Sequence, residues 1–164
     1  MTIAELNRLD QVGFVDAVGW IFEQSPWVAN RAFGARPFTN LDALHGAMTE
    51  QVECATFAER LALVNAHPDL GTRARLSQAS TSEQAGAGLD SLTPAEFEQL
   101  NRLNTAYRNR FGFPFLLAVK GSTKHDVLRA IQARMEATPE DEFREALRQV
   151  YRIARFRLED LITS

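Results

Sequence analysis

The first place in this sequence where residue types and spacing could do chemistry is Asn65-Ala66-His67-Pro68-Asp69-Leu70-Gly71, in which a histidine directly precedes a proline. Pro68 disfavours helical geometry at His67 and pushes it toward an extended or turn conformation. Gly71 can take a positive φ at no steric cost, so the imidazole is mounted on a stiff turn where an apolar helical run stops. Three further features are polar where the surroundings are not. Ser80-Thr81-Ser82-Glu83-Gln84 sets hydroxyls, a carboxylate and an amide on a segment of small residues. Residues 111–119, Phe-Gly-Phe-Pro-Phe-Leu-Leu-Ala-Val, read as an extended, buried stretch whose backbone groups must pair locally or serve a ligand. Arg157 falls on the apolar stripe of the last helical segment, where a guanidinium must find an anion or a set of acceptors. An acid/base imidazole, an orienting carboxylate, an amide and an anion-binding arginine suit a small, polar, anionic substrate rich in nitrogen and carbonyls. Each feature also has a plainer explanation. His-Pro-Asp-Leu-Gly is one way for a helix to stop, and Glu83 with Gln84 can complete a capping box begun at Ser80.

The elements that must position these groups are helical throughout. Thr2-Ile3-Ala4-Glu5 reads as a capping box, Asp10 caps a segment reaching Trp20 to Phe22, and Ser25-Pro26 pairs an N-cap with a first-position proline. Phe14, Val18, Ile21 and Phe22 recur at helical spacing and belong to a core or an interface. Between residues 41 and 66, Leu41, Leu44, His45, Met48 and Val52 mark one face, and Phe57, Leu61, Val64 and Asn65 the next. His45 on such a stripe is expected to be a hydrogen-bonded core residue. Residues 72–90 form a loop or a short helix with loop ends. Thr93-Pro94-Ala95-Glu96 is the strongest helix start, opening a helix to about Arg110 that buries Phe97, Leu100, Leu103 and Tyr107. Helices begin again at Thr123 and at Thr138-Pro139-Glu140-Asp141; Phe143, Leu147, Val150, Ala154, Arg157 and Leu161 then trace one buried stripe. The Glu140, Asp141, Glu142, Glu145 and Glu159 carboxylates, with Arg144, Arg148, Arg152 and Arg155, read as a solvated face. The expected fold is all-α: a single domain over residues 1–164, a compact bundle of short helices closed by a long C-terminal one.

Composition narrows the function. The chain has 164 residues, 45% hydrophobic and 24% charged, which is ordinary for a globular domain. A net charge of −3 argues against a nucleic-acid footprint. No apolar run approaches a membrane span, the start lacks the regions of a signal peptide, and the final Leu161-Ile162-Thr163-Ser164 carries no peroxisomal tripeptide, so a cytoplasmic location is expected. Cys54, the one cysteine, is expected to be a small packing residue rather than a reactive thiol. With no paired histidine spacing, no metal site is expected. There is no Gly-x-Ser-x-Gly elbow.

His67-Pro68-Asp69-Leu70-Gly71, then Ser80-Thr81-Ser82-Glu83-Gln84 with Ala87-Gly88-Leu89, then Phe111-Gly112-Phe113-Pro114-Phe115, together with Arg157-Leu158, resemble in that order the OHCU decarboxylase family. Arg110 stands where the family pattern has Lys before the Phe-Gly-Phe-Pro-Phe run, a change that keeps the charge. The resemblance implies an all-helical, cofactor-independent and typically dimeric enzyme. Its substrate would be 2-oxo-4-hydroxy-4-carboxy-5-ureidoimidazoline, the last intermediate between urate and (S)-allantoin. It further implies that His67 is the catalytic acid/base, with Glu83 and Arg157 as the other catalytic groups. Pro68, Ser80, Glu83, Gln84, Phe115, Leu116, Leu117, Ala118, Val119 and Arg157 would bind the substrate. Two readings compete with it: a noncatalytic helical module that binds a ureide, and an interaction domain using Trp20, Phe22 and Trp27 as an exposed anchor.

Overall fold

The computed structural model describes residues 1–72 and 76–163. Among these there are nine α-helices and no strand: α1 (Ile3–Arg8), α2 (Gln11–Val18), α3 (Trp27–Ala32), α4 (Leu41–Glu53), α5 (Phe57–Asn65), α6 (Gln78–Gly86), α7 (Pro94–Phe111), α8 (Lys124–Arg134) and α9 (Pro139–Leu161). A single 3-10 turn, Phe33–Ala35, follows α3. The all-α class and the long last helix are as expected. Ser164 and residues 73–75 of the polar 72–90 segment lie outside the described residues.

Side-chain caps fix most of the helix starts. Thr2 with Glu5, Thr56 with Glu59, Thr93 with Glu96 and Thr123 with Asp126 form reciprocal capping boxes, and Asp10, Asn40 and Ser77 cap with one bond each. Such a cap is typically worth about 1 kcal/mol. Three local expectations change. α2 stops at Val18, short of Trp20, with Gly19 at its C-cap. Ser25 caps nothing; its hydroxyl donates to the Glu23 carbonyl at 2.8 Å, and Pro26 occupies the N-cap position of α3. Ser77 rather than Ser80 caps α6, because starting one turn earlier adds a backbone bond for each residue recruited.

The described chain divides into two compact units, residues 1–66 with 151–163 and residues 67–150. In the first, Leu6, Phe14, Val18, Ile21, Phe22, Leu44, Met48 and Val52 are buried, along with Ala154 and Leu158 of α9. The Phe14 ring meets Phe33 edge-on and Phe38 stacked. Phe22 is buried, which removes it from any exposed anchor. Leu63 and Val64 are the buried positions of α5, whereas Phe57 and Asn65, expected on the core face, are exposed. Cys54, the C-cap of α4, is also exposed, so it is not the small packing residue expected. His45 behaves as a structural residue: its Nε2 lies 2.9 Å from the Tyr151 carbonyl.

In the second unit, Tyr107 of α7 collects Phe111, Phe113 and Phe115 around its ring at centroid distances of 4.6, 6.0 and 5.4 Å. α7 buries Leu100, Asn104, Tyr107 and Phe111, while Phe97 and Leu103 are half-exposed. Gly112, at φ +81°, ends the helix in the left-handed conformation that a residue with a Cβ adopts only with strain. Lys124 at the start of α8 reaches Glu96 in the first turn of α7 at 2.7 Å.

Candidate functional site

His67 follows directly on Ala66, the C-cap of α5, and is about 95% buried, at 5% exposure. Three successive residues of the turn after it are held by α6 and α7. Arg108 Nε donates to Asp69 Oδ1 at 2.9 Å, Asn104 Nδ2 donates to the Leu70 carbonyl at 2.9 Å, and Gly71 N–H donates to Gln84 Oε1 at 2.8 Å. Gly71 has φ +72°, and a Cβ added there would sit 2.5 Å from Leu100 Cδ2. Only glycine fits this position, for two independent reasons. Pro68 is half-buried.

On α6, Ser80, Glu83 and Gln84 stand at i, i+3 and i+4, so they share one helix face. Ser80 and Gln84 are buried and Glu83 is half-buried. The Gln84 amide, by accepting from Gly71, fastens this face to the turn that carries His67. The helix is thus both a donor of candidate groups and the support for the imidazole.

The third group, Phe115, Leu116, Leu117, Ala118 and Val119, has no regular secondary structure, and all but Leu117 are buried. Side chains meet its expected need for unconventional partners at two backbone groups. Arg134 Nη1 of α8 donates to the Leu116 carbonyl, and Ala118 N–H donates to Gln149 Oε1 of α9 at 3.0 Å. The Arg134 guanidinium also lies over the Phe115 ring, 4.4 Å from its centroid. A buried carboxylate fixes that guanidinium: Glu142 accepts from Arg134 Nε at 2.6 Å and from the Tyr107 hydroxyl. Burial, and then the negative Glu142 beside it, push the Tyr107 hydroxyl well above the usual phenol range, so it stays a donor.

Arg157 belongs to the other unit. It is buried as the stripe predicts, and its anion is Glu23: Nη2 lies 2.9 Å from Glu23 Oε2, with the two side chains 4% and 3% exposed. Nη1 also reaches the Trp20 and Ile21 carbonyls at 3.4 and 3.3 Å. No cluster of three or more His, Cys, Asp or Glu side chains is placed to hold a metal ion among the described residues. Nor, among those residues, is any helix long and apolar enough to cross a membrane.

Residues 7–159 match the family described as OHCU decarboxylase. A 2-oxo-4-hydroxy-4-carboxy-5-ureidoimidazoline decarboxylase of Haloferax volcanii is 46% identical over the whole chain and 98% of its own length. This chain belongs to the OHCU decarboxylase family. The decarboxylase of Mus musculus is 36% identical over 99% of the chain and 93% of its own length. The uric acid degradation bifunctional protein PucL of Bacillus subtilis is 48% identical over 99% of the chain, which corresponds to 33% of that longer protein. Among solved structures, an (S)-allantoin synthase is similar with TM-score 0.79 and 36% identity, covering 99% of this chain and 54% of that one. At 24% identity, an OHCU decarboxylase crystallised in the presence of (S)-allantoin shares the fold, with TM-score 0.70 over 84% of this chain and 92% of its own.

Sequence reading of this OHCU decarboxylase family member missed five residues that hold the candidate groups or the segments that carry them, each within its own unit. Asn104 occupies a buried position in the series Leu100, Asn104, Tyr107, Phe111, whose 4, 3, 4 spacing contained the signal. Glu142 and Gln149 lie on the buried face of α9, which is wider than the single stripe; Glu142, assigned to a solvated face, is 1% exposed. Arg134, in the last turn of α8, and Glu23, in the irregular stretch after α2, carried no periodic signal at all.

Proposed function

We propose that the chain catalyses cofactor-independent decarboxylation of 2-oxo-4-hydroxy-4-carboxy-5-ureidoimidazoline to (S)-allantoin, with His67 as the acid/base. The carboxylate leaves a carbon adjacent to a ring C=N bond, so the electron pair released with CO2 flows into the substrate's own imine and no external electron sink is called for. What remains for the protein is proton management. His67 takes the proton of the hydroxyl on the carbon that loses CO2, or delivers one to the neighbouring carbon, and delivery from one face sets the (S) configuration. Glu83 orients His67 or holds ureido N–H groups, Gln84 pairs with an amide edge, and Ser80 and Pro68 line the site. The backbone of Phe115, Leu116, Leu117, Ala118 and Val119 meets substrate carbonyls. Arg157 acts on a ring or ureido oxygen where negative charge grows as CO2 departs, since gripping the carboxylate itself would stabilise the ground state.

The observation that carries this reading is the buried His67 on a turn locked to the Ser80–Glu83–Gln84 face through the Gly71–Gln84 bond. Binding alone does not call for a titratable group held so rigidly. A homodimer acting on a small molecule in the cytoplasm, without nucleic acid or membrane, is the setting we assign to it, and sedimentation checks the dimer.

The test generates the unstable substrate in place from urate with uricase and 5-hydroxyisourate hydrolase and follows circular dichroism. Rapid formation of optically active (S)-allantoin is expected from the wild type. His67→Asn should lower the rate by about 10²–10⁴-fold, the usual span for general acid/base catalysis. Unchanged decay to racemic product with the wild type would transfer the chain to the ligand-binding reading. Full activity in a folded His67→Asn variant would remove His67 from the chemistry.

A further inference from the structure

The 115–119 segment has no strand or helix to define it, yet it is buried and must hold one shape. Two of its backbone groups are taken by side chains from two helices: Leu116 C=O by Arg134 of α8, and Ala118 N–H by Gln149 of α9. Leu117 lies between them, is the one half-exposed residue of the five, and makes no hydrogen bond through its own peptide groups to any described residue. Both tethers are themselves held. Gln149 is buried and its Nε2 donates to Glu145 Oε1 at 3.0 Å, which fixes the amide so that its oxygen faces Ala118. Arg134 is oriented by the buried Glu142 carboxylate, which Tyr107 also contacts.

We propose that Gln149 and Arg134 are positioning residues for the decarboxylation, fixing the peptide planes on either side of Leu117 so that the Leu117 N–H and C=O stay open to the substrate. This rests on the reading that the 115–119 backbone lines the substrate site. Neither side chain enters the chemistry. Each acts by occupying a backbone group that would otherwise compete for the same substrate atoms or turn away from them. Loss of a tether therefore acts on binding before it acts on turnover.

The test uses Gln149→Leu, which keeps the volume and strands the Ala118 N–H, and the exchange of Glu145→Gln with Gln149→Glu, which restores an acceptor there and keeps a donor–acceptor pair between the two positions. Two quantities are read: steady-state kinetics on substrate generated in place, and hydrogen exchange of the Ala118 amide. Gln149→Leu should raise KM about tenfold, with kcat changed less than about threefold, and should speed Ala118 exchange about tenfold, as expected for one stranded buried hydrogen-bonding group. The paired Glu145→Gln, Gln149→Glu exchange should return both to within about threefold of wild type. Arg134→Lys keeps the charge beside Glu142 and weakens the Leu116 tether, and should raise KM in the same way even if Gln149→Leu does not fold. Faster Ala118 exchange with KM unchanged would overturn the proposal by removing this segment from the substrate site, while the tether itself stands. Unchanged exchange would overturn the tether. A wild type that makes no (S)-allantoin would instead fail the underlying functional reading, and the exchange result would separate the two.

Discussion

Replacing Gly71 by alanine tests whether the His67 turn is as tightly built as its geometry indicates. Two costs add at this position. The φ of +72° is unfavourable for any residue with a Cβ, by about 1–2 kcal/mol. The new methyl would also lie 2.5 Å from Leu100 Cδ2 and 3.1 Å from Leu92 Cδ1. Leu100 is 1% exposed and has little freedom to retreat, so overpacking contributes about 1–3 kcal/mol more. A loss centred near 3 kcal/mol corresponds to a fall in Tm of about 6–12 °C for a protein of this size. Gly88 supplies the control. Its φ is +78°, but a Cβ there meets nothing within 4 Å, so Gly88→Ala should cost only the conformational part, about 1 kcal/mol. Thermal and denaturant unfolding of the two variants, side by side, isolate the steric share. Turnover should fall in Gly71→Ala by more than tenfold at temperatures where it is folded, since the displaced turn carries His67; Gly88→Ala should stay near wild type. Equal destabilisation of the two variants would refute the claim that Leu100 closes over Gly71.

Other predictions are more local. Arg157→Lys keeps the charge but loses the guanidinium fork, and should lower kcat by about 10²-fold with a smaller change in apparent affinity. The reverse pattern would count against an Arg157 that works in the transition state. Acid stability should carry a signature of Glu96, whose carboxyl is pulled from its ordinary 4.5 to about 2, first by the hydrogen bond from Lys124 and then by Thr93 N–H. A depressed carboxylate contributes stability above its unfolded pKa and loses it as the pH falls toward the folded one. The denaturant midpoint of the wild type should therefore approach that of Glu96→Gln between pH 4.5 and about 2. A constant gap between them would show that Glu96 is not held in this way.

The parts of this structure that could be read from the sequence are those set by local chemistry. Caps such as Thr93 with Glu96 need only residues three apart, so helix starts were visible, and the periodic burial of Leu147, Val150, Ala154 and Arg157 gave the inward guanidinium. Periodicity also said that Arg157 needs an anion, but not which one, because Glu23 lies far away in sequence and in no regular element. Ser80 as a cap failed because Ser77 offers the same chemistry one turn earlier, and short-range rules do not choose between two adequate caps. Glu142 failed for a different reason. Charge patterning places a glutamate outside by default, and only the convergence of Tyr107 and Arg134 from two other helices makes its burial affordable. The single-stripe description of α9 was likewise too narrow, since a helix covered on several sides buries more than one row.

The Arg157–Glu23 pair changes what kind of attraction this part of the protein can exert. A guanidinium already matched by a buried carboxylate is close to neutral when seen from a distance, and the chain as a whole carries −3. Long-range pull on an anionic molecule is therefore weak, and diffusion is not steered toward Arg157 by charge. What the pair supplies is rigidity: Glu23 and the Trp20 and Ile21 carbonyls hold the guanidinium in one orientation at short range.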